Sequence, residues 1–125
     1  MRVISQSRLK LFWKLSGRGD AEGPLRAWYT HVKNKRVAWR SWADVKASFA
    51  TASIVGNCVV FNIGGNKFRL VTRILYASQK LFVLKVLTHA EYDQNEWQGE
   101  CGCFSPPPKK ASAARVTQLK RRKAR

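Results

Sequence analysis

The sequence predicts an α+β domain: helices first, then a three-stranded meander. Two changes along the chain carry that expectation. Up to about residue 49, apolar side chains recur at helical spacing; from Cys58 onward they follow the two-residue period of strands. Between the first two strands stands Gly64-Gly65, a pair suited to the positive φ of a tight hairpin turn. A chain of 125 residues fits one such domain and one core.

The elements follow in order. "RVIS" at 2–5 is short and β-favourable. Leu9, Phe12, Trp13 and Leu15 trace a helical face between Gln6 and Ser16, and Gly17 and Gly19 end that helix. Pro24 suits the first turn of a second helix, whose face is Leu25, Trp28, Tyr29 and Val32 and whose end is near Asn34. Ser41 with Asp44 reads as a capping box for a third helix, with Trp42, Val45 and Phe49 on one side. Cys58 to Ile63 is the first strand of the meander, Asn66 to Tyr76 the second and Lys80 to Thr88 the third, with a turn at Ala77-Ser78. Trp13, Trp28 and Trp42 read as core, Trp97 as a cover for the sheet edge, and His31 as surface. After Trp97 the pattern is lost. The domain is expected to span 1–98, and residues 99–125, with "SPPPKK", to form a basic, disordered tail.

Charge narrows the function. The chain carries 24 Lys and Arg against 7 Asp and Glu, a formal charge of +17. Residues 105–125 hold eight of the basic residues and no acid, so residues 1–104 keep a surplus of nine. Such a surplus repels itself, and a polyanion is the usual compensation; nucleic acid comes first and an anionic membrane surface second. Residues 1–16 contain no apolar block long enough for a secretory leader, and no run approaches a membrane span, so the expected compartment is the cytoplasm. Cys58, Cys101 and Cys103 are an odd set without a second ligand pair, which argues against a zinc site.

The second strand faces two ways. Phe68, Leu70, Thr72 and Ile74 suit packing against helices, while Lys67, Arg69, Val71 and Arg73 point to the other side. On the third strand Phe82, Leu84, Val86 and Thr88 share one face; Leu81, Val83, Lys85, Leu87 and His89 share the other. If the polar faces align, Lys67, Arg69, Arg73, Lys85 and His89 look out from one side of the sheet, an arrangement that a one-residue slip would reverse. Any one of these cations is ordinary on a wet sheet face. As a group they are not, because no Asp or Glu occurs from residue 45 to residue 90. His89 ends the strand and Tyr92 follows three residues on. Taken singly, each reads as structural. Beside a cationic strand they suffice for RNA cleavage without a metal. A base takes the 2′-hydroxyl proton, cations stabilise the charge gained at phosphorus, and an acid protonates the leaving 5′-oxygen. No cofactor is needed, and the expected product is a 2′,3′-cyclic phosphate.

The runs "VVFNIGGNKFRLVTRI" and "VLTHAEYD", with "MRVIS", "PLRAWYTHVK" and "WADVKASF", resemble the HigB-type toxins of bacterial type II toxin–antitoxin systems over roughly residues 1–97. The resemblance implies a RelE-like fold, with N-terminal helices packed on one face of a small twisted, mostly antiparallel sheet. It implies an mRNA interferase that cuts on the translating ribosome. The implied partners are mRNA and ribosome, a cognate helix-turn-helix antitoxin, and operator DNA only through the complex with that antitoxin; no membrane is involved. The family's catalytic roles map onto His89, Tyr92, Arg73, Lys67 and Arg69, while the cationic face of the sheet gives Lys67, Arg69, Arg73 and Lys85 as the RNA-binding set. Phe68 stands where the family often has tyrosine. The alternative is a non-catalytic basic RNA- or ribosome-binding module, or a degenerate, inactive toxin.

Overall fold

A computed structural model describes residues 1–15, 18–34 and 36–104. In chain order these form β1 (Arg2–Ile4), α1 (Ser7–Trp13), a 3-10 turn (Gly19–Ala21), α2 (Glu22–Lys33), α3 (Trp42–Ser48), β2 (Ser53–Val55), β3 (Cys58–Ile63), β4 (Phe68–Leu75), β5 (Lys80–Thr88), α4 (His89–Asp93) and α5 (Glu96–Glu100). The expected α+β class is observed. The sheet has five strands in the order β1-β5-β4-β3-β2, antiparallel except where β1 runs parallel to β5.

Alternation builds the main core. Val59, Phe61 and Ile63 of β3 and Phe68, Leu70 and Ile74 of β4 turn toward Leu25, Trp28 and Val32 of α2 and Val45 of α3. Phe61 is fully buried and sits at the centre of an aromatic group, with ring centroids 5.4 Å from Trp28, 5.2 Å from Phe49 and 6.2 Å from Trp39. Trp39 owes its place to an indole N–H that donates to Ser48 Oγ at 3.0 Å. Trp28 is buried as expected, whereas Trp13 and Trp42 are half-buried at the rim.

Several expectations are corrected. Helix α1 stops at Trp13, and Leu15 is left exposed instead of joining the buried face. Ser41 makes no side-chain cap; the Asp44 carboxylate accepts instead from the Arg40 N–H at 2.8 Å. The intact capping box lies elsewhere. Thr88 Oγ1 accepts from the Glu91 N–H at 3.2 Å, and Glu91 Oε1 accepts from the Thr88 N–H at 2.9 Å.

The alternation expected for β5 also fails. Val71 pairs with Lys85 and Thr72 with Val83, so the ladder skips Leu84. This bulge turns the faces over. Leu81 and Val83 join the helix-side core with Val86, while Leu84 packs with Leu87 on the far side.

A second, smaller cluster covers part of that far side: Cys58, Val60, Val71, Leu87, Trp97 and Cys103. Trp97 therefore lies on the sheet's second face, not at its edge. Cys103 is buried and disulfide-bonded to Cys58, so packing continues past the boundary expected at residue 98. Gly56, at φ +56°, makes room for this return, because a Cβ there would collide with the Cys103 carbonyl. Tail residues 105–125 lie outside the described residues.

Candidate active site

The corner where β4, β5 and α4 meet collects most of the candidate residues. The β3–β4 connection turns through Gly64 at φ 62° and Gly65 at φ 69°, and Lys67 closes it by donating its N–H to the Gly64 carbonyl at 3.3 Å. Lys67 thus stands on the turn, one residue ahead of the strand expected to carry it. Its own carbonyl accepts the His89 N–H at 3.1 Å, which fixes the start of α4 against the turn. His89 is the first residue of this helix and not the last of β5, because the Thr88–Glu91 box closes the helix there.

Arg69 is on β4, opposite Leu87, on the face away from α2. Its guanidinium donates to the Asn66 carbonyl at 3.1 Å and the Phe68 carbonyl at 3.2 Å, and lies 5.2 Å from the centre of the Tyr92 ring. Tyr92 in turn stacks on Trp97, with centroids 5.0 Å apart, and its carbonyl accepts the Trp97 indole N–H at 2.9 Å. A buried tryptophan thereby holds a half-buried tyrosine under an arginine. The fold brings Lys67, Arg69, His89 and Tyr92 together.

The other two cations sit differently. Lys85 is one row further along, opposite Val71, and is ion-paired with Glu100 of α5, whose hydrogen bond raises the pKa of the ammonium. Arg73 shares the outward face of β4 but pairs with Phe82. It lies five residues beyond Phe68, about 17 Å along the strand at about 3.3 Å per residue, and so stands apart from His89.

Four residues that the sequence reading left without a role reach the corner. Asp20 pairs with Lys67, and this hydrogen bond holds the Asp20 carboxyl below the usual carboxylate range. Arg18 pairs with Glu91 at 3.2 Å, so the segment ahead of α2 is tied to α4. Asp93 Oδ2 lies 3.1 Å from His89 Nδ1. Glu91 had a local signal, since Thr-x-x-Glu before a helix is a capping box. So had Asp93, four residues from a histidine on one helix. Arg18 and Asp20 had none, because their contacts span 73 and 47 residues.

A family model matches most of the described chain, this corner included except for Arg18 and Asp20. The HigB toxin family, described as the RelE-like toxic component of a toxin–antitoxin system, matches residues 21–95. This chain belongs to the HigB toxin family. The match takes in all six candidate residues and stops short of α5 and the Cys103 closure. Three HigB relatives show 50% identity over 34 residues, 27% of this chain and 33% of theirs: the mRNA interferase toxin HigB of Escherichia coli (strain K12), and the mRNA interferases HigB of Escherichia coli O157:H7 and Shigella flexneri. The aligned stretch thus spans a third of the length of these curated relatives. Among the described residues no helix is long and apolar enough to cross a membrane.

Proposed function

We propose that this HigB-family chain is an endoribonuclease that cleaves mRNA on the translating ribosome, in the cytoplasm, through attack of a 2′-hydroxyl and without a metal. The observation that carries the reading is the convergence of Lys67, Arg69, His89 and Tyr92 at one exposed corner of the sheet. His89 supplies proton transfer at the reacting oxygens. Arg69 and Lys67 stabilise the charge that builds on the phosphorane oxygens. Tyr92, held by Trp97, offers a hydroxyl for the leaving group and a ring for a base to stack on. Lys85 and Arg73, further along the sheet, contact phosphates flanking the cut. The names of the relatives, mRNA interferases, support the same chemistry.

The test uses an RNA oligonucleotide carrying one 2′-deoxy nucleotide at the cleavage position, with and without ribosomes. The expected result is a 2′,3′-cyclic phosphate product from the all-ribose strand and none at the deoxy position. Cleavage that persists at that position refutes the mechanism. Cleavage that requires a translated reading frame supports ribosome dependence, and equal cleavage of free RNA refutes it. The partner we propose is a helix-turn-helix antitoxin, with operator DNA bound only through the complex. A band shift of operator DNA by the toxin alone would contradict this.

One observation favours a second reading. Lys67 and Lys85 already carry counter-ions, Asp20 and Glu100. A non-catalytic RNA- or ribosome-binding module, or an inactive toxin, tolerates that neutralisation better than an enzyme does. Growth arrest by His89→Ala without mRNA cleavage would select the binding module.

A further inference from the structure

We propose that Asp93 is a positioning residue for His89: its carboxylate holds the imidazole proton on Nδ1 and leaves Nε2 as the proton-accepting atom. The inference deepens the endoribonuclease reading and rests on it for its kinetic consequence. It starts from the backbone. The Thr88–Glu91 box fixes the first turn of α4, and residues four apart on a helix lie on the same side. His89 Nδ1 and Asp93 Oδ2 meet there at 3.1 Å. A carboxylate only accepts, and a neutral imidazole has a single N–H. At this distance the carboxylate favours the tautomer with its N–H on Nδ1, which leaves the Nε2 lone pair unprotonated.

The charges around the ring make this more than a surface pair. Lys67 stands on the adjoining turn, its carbonyl bonded to the His89 N–H, with Asp20 as its counter-ion. Arg69 faces α4 from β4 over Tyr92. Glu91, on the same helix, is engaged by Arg18 and by the Thr88 N–H. Among the described residues Asp93 is the carboxylate that pairs with the His89 ring. When Nε2 takes the 2′-hydroxyl proton, the ring becomes cationic, and Asp93 stabilises that state in the transition state. The side chains are 52% and 61% exposed, so removing the pair perturbs the reaction far more than the fold.

The first test needs no activity. Nitrogen-15 NMR of the full chain across the histidine titration is expected to show the Nδ1–H tautomer in the neutral form of His89. Asp93→Ala should move the proton to Nε2. A wild-type ring already protonated on Nε2 overturns the proposal, whatever the chain does to RNA. The second test is kinetic. Asp93→Asn should lower kcat by at least about tenfold, the scale of groups that orient a ligating or reacting histidine, with the KM for RNA nearly unchanged. In a His89→Ala background, Asp93→Asn should change nothing. An equal loss of rate in both backgrounds would overturn the coupling. Full cleavage by His89→Ala alone would instead sink the endoribonuclease role of His89, and the tautomer experiment would still decide the pairing.

Discussion

The two faces of this sheet are built from alternate residues of the same strands, yet they are closed to different degrees. On one face, Phe61 and Leu70 pair across β3 and β4 and disappear under α2 and α3. On the other, the neighbouring row of Val60 and Val71 is covered, among the described residues, by the small cluster around Trp97 and the Cys103 closure, while the next row, Asn62 and Arg69, is left partly open. The first face has the area and aromatic packing to hold the domain together. The second has enough cover to pin Tyr92 and not enough to bury Arg69. The proposed RNA-cleaving corner needs that combination, because a guanidinium under a full layer of helix would reach no phosphate.

The sharpest way to break the comparison is at the centre of the closed face. Phe61→Ala empties the middle of the aromatic group and should cost about 3–5 kcal/mol of stability. Denaturant unfolding measures it. A loss below about 1 kcal/mol would mean that the helix face is not the main source of stability. The same test on the second face is Cys103→Ser. Cys58 and Cys103 are 45 residues apart, and loss of such a link costs about 2–4 kcal/mol. The expected result is a lower Tm under oxidising conditions and a smaller difference from the parent once reductant is present, the remainder being the cost of a serine hydroxyl at this buried position. Equal stability under both conditions would show that the closure does not depend on the bond.

The same contrast governs what the sequence revealed. β3 and β5 have the expected bounds, Cys58–Ile63 and Lys80–Thr88, but only β3 keeps the expected alternation throughout, since the bulge turns over the faces of β5. The helix-side core of α2 was equally legible. The second face was not. β2 is three residues long, too short to show a period. The bulge at Leu84 leaves no mark in composition, since Leu84 is as apolar as Phe82 and Val83 beside it. The return of Cys103 to Cys58 is a long-range event, and "CGC" read as the beginning of a tail. For the site, residue types were visible and their grouping was only partly so. Arg69 and Tyr92 could be placed near His89, but the distance to Arg73 depends on ladder positions, and the ion pairs of Lys67 and Lys85 depend on acids from α5 and the 3-10 turn.

Arg69→Ala sharpens the comparison from the open side. Its guanidinium caps two carbonyls and covers the Tyr92 ring, contacts worth about 1 kcal/mol together at a half-exposed position. The stability loss should stay near that figure while RNA cleavage falls by at least about tenfold, since the proposed mechanism sets this side chain against developing charge. Thermal unfolding and single-turnover cleavage separate the two. A variant that unfolds easily and, when folded, cleaves normally would place Arg69 among the structural residues.

The smallest effect concerns Asp20, which already occupies Lys67. While Asp20 holds Lys67, that ammonium makes no phosphate contact and so displaces no condensed cation from a bound RNA. Asp20→Asn should therefore tighten RNA binding at low salt and steepen the log–log salt dependence by about 0.7, the increment for one added phosphate contact on a single strand. Acid should mimic the variant, and the sign follows from the hydrogen bond. Lys67 holds the Asp20 carboxyl below the ordinary carboxylate range, so the pair is complete at neutral pH and is lost only as pH falls through that lowered value. Affinity measured down the pH scale should stay flat through the range where a free aspartate titrates and rise below it in the parent chain, with no such rise in Asp20→Asn. A parent and variant with the same salt slope would mean that Asp20 and RNA do not compete for Lys67, and the ammonium would then belong to the turn and not to the open face.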